Sequence, residues 1–149
     1  MKYITPAIAI MMLLITACEP QPQPIQMGEE ECAHCNMMIS EEPYAAQLVS
    51  STGRHFSFDA IECMAAYTED FDGEIHSIWV RDFNNSGDWF DATQAIFLRS
   101  DELQSPMSVN LSAYNQQSEA EENQNEYGGE LYTWDEVVHL VREQWGHSH

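Results

Sequence analysis

Cys32-Ala33-His34-Cys35-Asn36-Met37-Met38 is the densest run of reactive side chains in this 149-residue chain. A Cys-x-x-Cys turn brings two thiolates to one metal ion, and Met37 offers a thioether two residues further on. Thiolate and thioether donors are soft and select Cu(I) over Mg, Ca or Mn. Zinc accepts thiolates but seldom methionine, and a zinc ribbon calls for a second Cys-x-x-Cys, for which only Cys63 is left. Haem attachment needs His directly after the second cysteine, and Asn36 stands there. A thioredoxin-like motif would follow a buried strand and open a helix; this one follows a Pro/Gln-rich segment and Glu29-Glu30-Glu31. A Cys32–Cys35 disulfide, structural or redox-active, stays an open alternative in an oxidising compartment.

Further donors are scattered along the chain. Cys63 is a third thiolate, a disulfide partner or a small buried hydrophobe, with no preference among these. Met64 shares a helical face with Ile61 and is expected in the core. Met107 follows Pro106 in a loop, where ligand and packing roles are evenly balanced. Met38 alternates with Met37 and is expected to be the one that packs inward, while Met27 is read as a bystander. His34 lies inside the Cys-x-x-Cys turn and is a candidate donor. His55, His76 and His139 are read as structural, and His147 and His149 as a solvated tail.

The charge balance narrows the function. There are 25 Asp and Glu against 5 Lys and Arg, a formal −20. Phosphate backbones need a cationic counterpart, so nucleic acid is excluded as a partner, and so is a polybasic membrane contact. Such a surface favours docking on a basic patch of a partner. No nucleophile elbow, phosphate loop or dinucleotide fingerprint occurs, and no acid/base constellation stands out from the acidic surface. The expectation is a binding protein and not an enzyme, with no small-molecule substrate.

The elements that must position these residues follow an address. Residues 1–17 have one lysine, a short apolar run and small residues at the end, the pattern of a secretory signal. The run is shorter than the ~20 residues a membrane span needs. Ile15-Thr16-Ala17-Cys18 resembles a lipobox, so Cys18 is expected to be acylated and to become the mature N-terminus. Glu19 after it favours the outer membrane over the inner. Cleavage leaves four arginines against 25 acidic residues, a formal −21. Residues 18–30, with alternating prolines at 20, 22 and 24, are read as an extended tether, and residues 31–149 as the folded domain.

Within that domain, residues 44–50 and 54–58 predict a hairpin about Thr52-Gly53. Asp59 is placed to cap a helix over 60–68. Residues 74–83 predict a strand, with Trp89-Phe90 pairing back on it. Residues 95–99 and 108–114 predict two more strands. Ser118 and Thr133 each begin a capping-box pattern, opening a polar helix that stops at Gly128-Gly129 and a final amphipathic helix. This order describes an α+β domain in two pseudo-repeated ββα-type halves.

Taken together, these blocks resemble the NosL family of nitrous oxide reductase accessory proteins. The resemblance runs through Cys32-x-x-Cys35-x-Met37-x-Ile39, Tyr44-Ala45-Ala46-Gln47, Phe58-Asp59-Ala60-Ile61-Glu62-Cys63-Met64, Val80-Arg81-Asp82-Phe83, Trp89-Phe90-Asp91-Ala92 and Pro106-Met107-Ser108. It implies a periplasm-facing lipoprotein that binds Cu(I) and supplies copper to nitrous oxide reductase and its membrane-bound maturation complex. It also implies a fold of two ββα units similar to part of an organomercurial lyase. Cys35 and Met37 are the first expected ligands and Cys32 the next, with Cys63, Met107 and His34 as candidates to complete the site. Ser108 departs from the family pattern, which commonly has Gly after Pro-Met.

Overall fold

The computed structural model describes residues 19–146, so the signal run, Cys18, His147 and His149 lie outside the described residues. Strands β1 (Ala46–Ser50) and β2 (His55–Phe58) form the first hairpin, and helix α1 (Ile61–Asp70) follows at once. The hairpin turn needs a left-handed residue, which Gly53 supplies at φ 81°. Strand β3 (Ile75–Arg81) pairs antiparallel with β1, placing Val80 opposite Ala46, and β4 (Trp89–Asp91) folds back on β3. The resulting four-stranded sheet has the order β2-β1-β3-β4.

Strands β5 (Ile96–Arg99) and β6 (Leu111–Tyr114) pair antiparallel and lead into helix α2 (Gln117–Tyr127). A short strand β7 (Glu130–Tyr132), not foreseen in the sequence, pairs on the other edge of β5 before helix α3 (Trp134–Trp145). This second sheet has the order β6-β5-β7. Two ββα units, β1-β2-α1 and β5-β6-α2, are thus built into a mixed fold of three helices and two antiparallel sheets.

One core joins the sheets: Leu48, Phe58, Ile61, Met64, Val80, Phe97, Leu111 and Val137 are buried together. Helices α1 and α3 pack on each other, tied at the surface by an Arg142–Glu69 ion pair at 2.6 Å. Thr133 opens α3 with both halves of its capping box in place. At α2 the expected box is absent: the helix starts two residues early, at Gln117, and Gln116 in the cap position makes no side-chain cap bond.

Strand β1 is buried along its whole length, on both faces, and this corrects the reading of residues 18–30 as a free tether. The Gln47 side chain points away from the main core and would be an orphan in a half-exposed strand. Its carboxamide instead grips the main chain of Gln23, accepting from Gln23 N–H at 2.7 Å and donating to Gln23 C=O at 3.3 Å. The His55 ring adds a bond at 3.0 Å to Gln21 C=O, Ile25 is buried in the core, and Met27 packs against it. The folded part therefore begins near Gln21, upstream of Glu31.

Candidate metal centre

The Cys-x-x-Cys run is the loop of a small hairpin. Its two sides are zipped by Gly28 N–H to Ile39 C=O, Ile39 N–H to Glu30 C=O and a bridge between Glu31 and Met38. Across the loop, Cys32 N–H bonds Met37 C=O at 2.8 Å and Asn36 N–H bonds Cys32 C=O at 2.9 Å. The tight return puts Asn36 in the left-handed region at φ 60°, which Asn tolerates better than most side chains. Ala33 N–H then fastens the loop to Ser57 C=O of β2 at 2.9 Å.

That anchor sets the thiols beside the β2–α1 junction. Phe56 and Phe58 of β2 pack on Tyr67 of α1, with ring centroids 5.4 and 5.2 Å apart. This packing fixes the two residues between strand and helix. Asp59 does not cap α1 as its position suggested: the helix begins at Ile61, and the cap position falls to Ala60, which has no side-chain bond to give. The Asp59 carboxylate turns toward the cysteine loop instead, where its Oδ1 accepts from the Cys35 thiol at 3.5 Å. One helical turn on, Cys63 faces the same space. One ligand atom each from Cys32, Cys35, Asp59 and Cys63 all lie within 4.8 Å of one another.

Cys32, Cys63 and Asp59 are 1% exposed or less, whereas Cys35 is half-buried. Cys32, Cys35 and Cys63 are free thiols. A hydrogen bond from Cys63 holds the Cys32 thiol down at about 6 against an ordinary 9.0, which leaves Cys32 a thiolate at neutral pH. The same bond, seen from its donor, and burial push Cys63 far up. Burial raises Cys35 to about 11. Without metal the site thus carries one negative sulfur and two protonated ones, and a metal bound by all three thiolates must displace two protons. Asp59 Oδ2 is buried with no partner among the described residues, an arrangement that costs stability unless a ligand satisfies it.

The other candidates are placed differently. His34 stands outside the four-residue group; its ring stacks on Trp145 of α3 at 5.7 Å, nearly parallel. Met37 is 51% exposed on the loop, and Met38 is 47% exposed, so the expected inward packing of Met38 does not occur. Ile39, the next residue, is fully buried and fills the core position instead. Met107 is partly buried against the core to which Cys32 and Cys63 belong. Asp59 was missed as a donor. One signal was available: Asp59 precedes Cys63 by four residues, about one helical turn.

Three sulfurs and one carboxylate form a closed donor set of the size that holds a tetrahedral divalent ion. The sulfurs, with the exposed Met37 thioether nearby, form a set suited to Cu(I). The fourth donor comes from Asp59 and not from a second Cys-x-x-Cys pair of the kind a zinc ribbon uses.

No curated protein sequence matches the chain. Among solved structures it is similar to the copper chaperone NosL from Shewanella denitrificans, with a TM-score of 0.70 and 23% identity. That likeness covers 78% of this chain and 95% of that one, and at this identity it is a likeness of fold. The family model NosL matches residues 24–141, from the docked N-terminal segment to the last buried turn of α3, and the chain belongs to the NosL family.

Proposed function

We propose that this protein is a Cu(I) carrier: a lipoprotein anchored through Cys18, facing the periplasm from the outer membrane, that supplies copper during maturation of nitrous oxide reductase. The observation that carries the reading is the convergence of Cys32, Cys35 and Cys63 on one point beside Asp59, with Cys35 and Met37 toward solvent. Buried sulfurs retain the ion, and accessible ones let an incoming ligand displace it. Family membership and the fold shared with a copper chaperone support the same reading. The acidic surface suits docking on a basic face of the reductase or of its membrane-bound maturation complex.

The sulfur geometry argues against a thiol–disulfide oxidoreductase using Cys32 and Cys35. Such an enzyme attacks through an accessible thiol of lowered pKa. Here the lowered thiol, Cys32, is buried, and the accessible one, Cys35, is raised. A disulfide-stapled structural role is the remaining rival.

An anaerobic Cu(I) titration against a competing chelator separates these readings. The reduced protein should bind one Cu(I) tightly, Cys35→Ser should lose that binding, and Met37→Leu should weaken it. Failure of the reduced wild type to compete for Cu(I) would sink the carrier reading. Reduction of a disulfide substrate by the metal-free protein, unaffected by Met37→Leu, would establish the oxidoreductase instead. For the anchor, intact mass of the membrane fraction should show an acylated Cys18; an N-terminus without acyl mass would overturn it.

A further inference from the structure

Glu62 is the least expected side chain in the core. It is fully buried on the first turn of α1, adjacent to Cys63, and carboxylates are almost never buried unless partnered. Its partners lie far away in sequence. Oε1 accepts the Ser105 hydroxyl and also Val109 N–H at 3.2 Å, while Oε2 is buried without a partner among the described residues. An apolar residue would suit the core better on burial grounds alone.

What Glu62 grips is a closed turn. Asn110 N–H donates to Ser105 Oγ at 2.9 Å, Ser105 N–H donates to Asn110 Oδ1 at 3.2 Å, and Ser108 N–H bonds Ser105 C=O at 3.1 Å. Ser108 and Asn110 both hold left-handed backbone, at φ 64° and 65°. For serine this conformation is unfavourable, so the turn needs external fixing to keep its shape. Pro106 and Met107 occupy the turn between the two gripped positions. The contact therefore joins two segments that carry sulfur: the helix turn with Cys63 and the loop with Met107.

We propose that Glu62 is a positioning residue, whose buried carboxylate clamps the Ser105–Asn110 turn to the first turn of α1 and so holds Met107 in register with the cysteine cluster. The proposal rests on the Cu(I)-carrier reading for its consequence, since the purpose of the register is to present the Met107 thioether to the ion. The clamp itself exists in the metal-free protein.

The test uses the mature full-length chain as wild type, Glu62→Gln, Glu62→Ala, Ser105→Ala, Met107→Leu and the Glu62→Ala/Met107→Leu pair. Amide exchange of Val109 and Asn110 and methyl relaxation of Met107 are followed by NMR without metal. Cu(I) affinity is measured separately by chelator competition. Loss of bonds to a buried carboxylate should speed exchange at Val109 roughly tenfold or more in Glu62→Ala, with amides of β1 unchanged, and free the Met107 methyl. Glu62→Gln retains an acceptor and should restore most of the protection. Cu(I) affinity should fall in Glu62→Ala by about the factor seen for Met107→Leu, with no further loss in the pair. If Glu62→Ala fails to fold, Ser105→Ala removes one arm of the clamp and should speed Asn110 exchange, since Asn110 N–H bonds the lost hydroxyl. Unchanged exchange in the folded variants, or additive affinity losses in the pair, would overturn the positioning role. Unchanged affinity in Met107→Leu would overturn the role of Met107 in the carrier reading, while the exchange data still decide the clamp.

Discussion

Asp59→Asn separates binding from stability, because the two should move in opposite directions. Asp59 is 1% exposed; one carboxylate oxygen accepts a long bond from the Cys35 thiol and the other has no partner among the described residues. A buried polar atom left unsatisfied costs about 1–3 kcal/mol. The position just before α1 returns part of this, since a negative charge near a helix N-terminus is favourable by about 0.3–1 kcal/mol. Asparagine keeps the shape, removes a buried negative charge from beside the cysteine cluster, and brings an N–H₂ that can donate to a sulfur of that cluster. The metal-free variant should therefore gain about 1–2 kcal/mol. A domain of this size shifts its melting temperature by about 3–5 °C per kcal/mol, so Tm should rise by roughly 3–10 °C. The same variant loses an anionic donor, and the rise in Tm on loading with metal should shrink. Differential scanning calorimetry of both proteins, with and without one equivalent of metal, measures all four states. A fall in the metal-free Tm would show Asp59 to be a structural partner and refute the reasoning.

Three further outcomes follow from the same geometry. Thr133→Ala removes the capping box of α3 and should cost about 1 kcal/mol in urea unfolding, with Cu(I) affinity unchanged. Met37→Leu, at a position 51% exposed, should change stability by less than about 0.5 kcal/mol while lowering Cu(I) affinity, a split visible by pairing urea melts with chelator competition. Because the folded Cys32 thiol sits at about 6, below its ordinary 9.0, its thiolate stabilises the metal-free protein fully above pH 9 and progressively less as pH falls toward 6. Absorbance near 240 nm should accordingly show one thiolate at pH 7 that disappears below pH 6 and is missing in Cys32→Ser.

Regular elements were legible where a local signal and the tertiary environment agree. The β1–β2 turn at Gly53 and the capping box at Thr133 are of this kind, as is the return of Trp89-Phe90 onto β3. Segments defined by distant partners were not. Residues 21–27 look like a solvated tether because nothing near them in sequence explains their ordering; the explanation is the Gln47 carboxamide and the second face of β1. Strand β7 is three residues long and exists because β5 has a free edge. The site divides in the same way. Cys32, Cys35 and Met37 announce themselves by spacing, whereas Cys63 and Asp59 join them only once the cysteine hairpin docks on Ser57. Asp59 also carried a strong competing signal, since an acidic residue before a helix is normally its cap.

Copper K-edge absorption on the mature protein, loaded anaerobically with one equivalent of Cu(I), tests the central claim most directly. The account predicts a Cu(I) edge and a first shell dominated by sulfur in the wild type, with little copper retained by Cys35→Ser. A shell of nitrogen and oxygen, or copper that is lost on desalting, would contradict it.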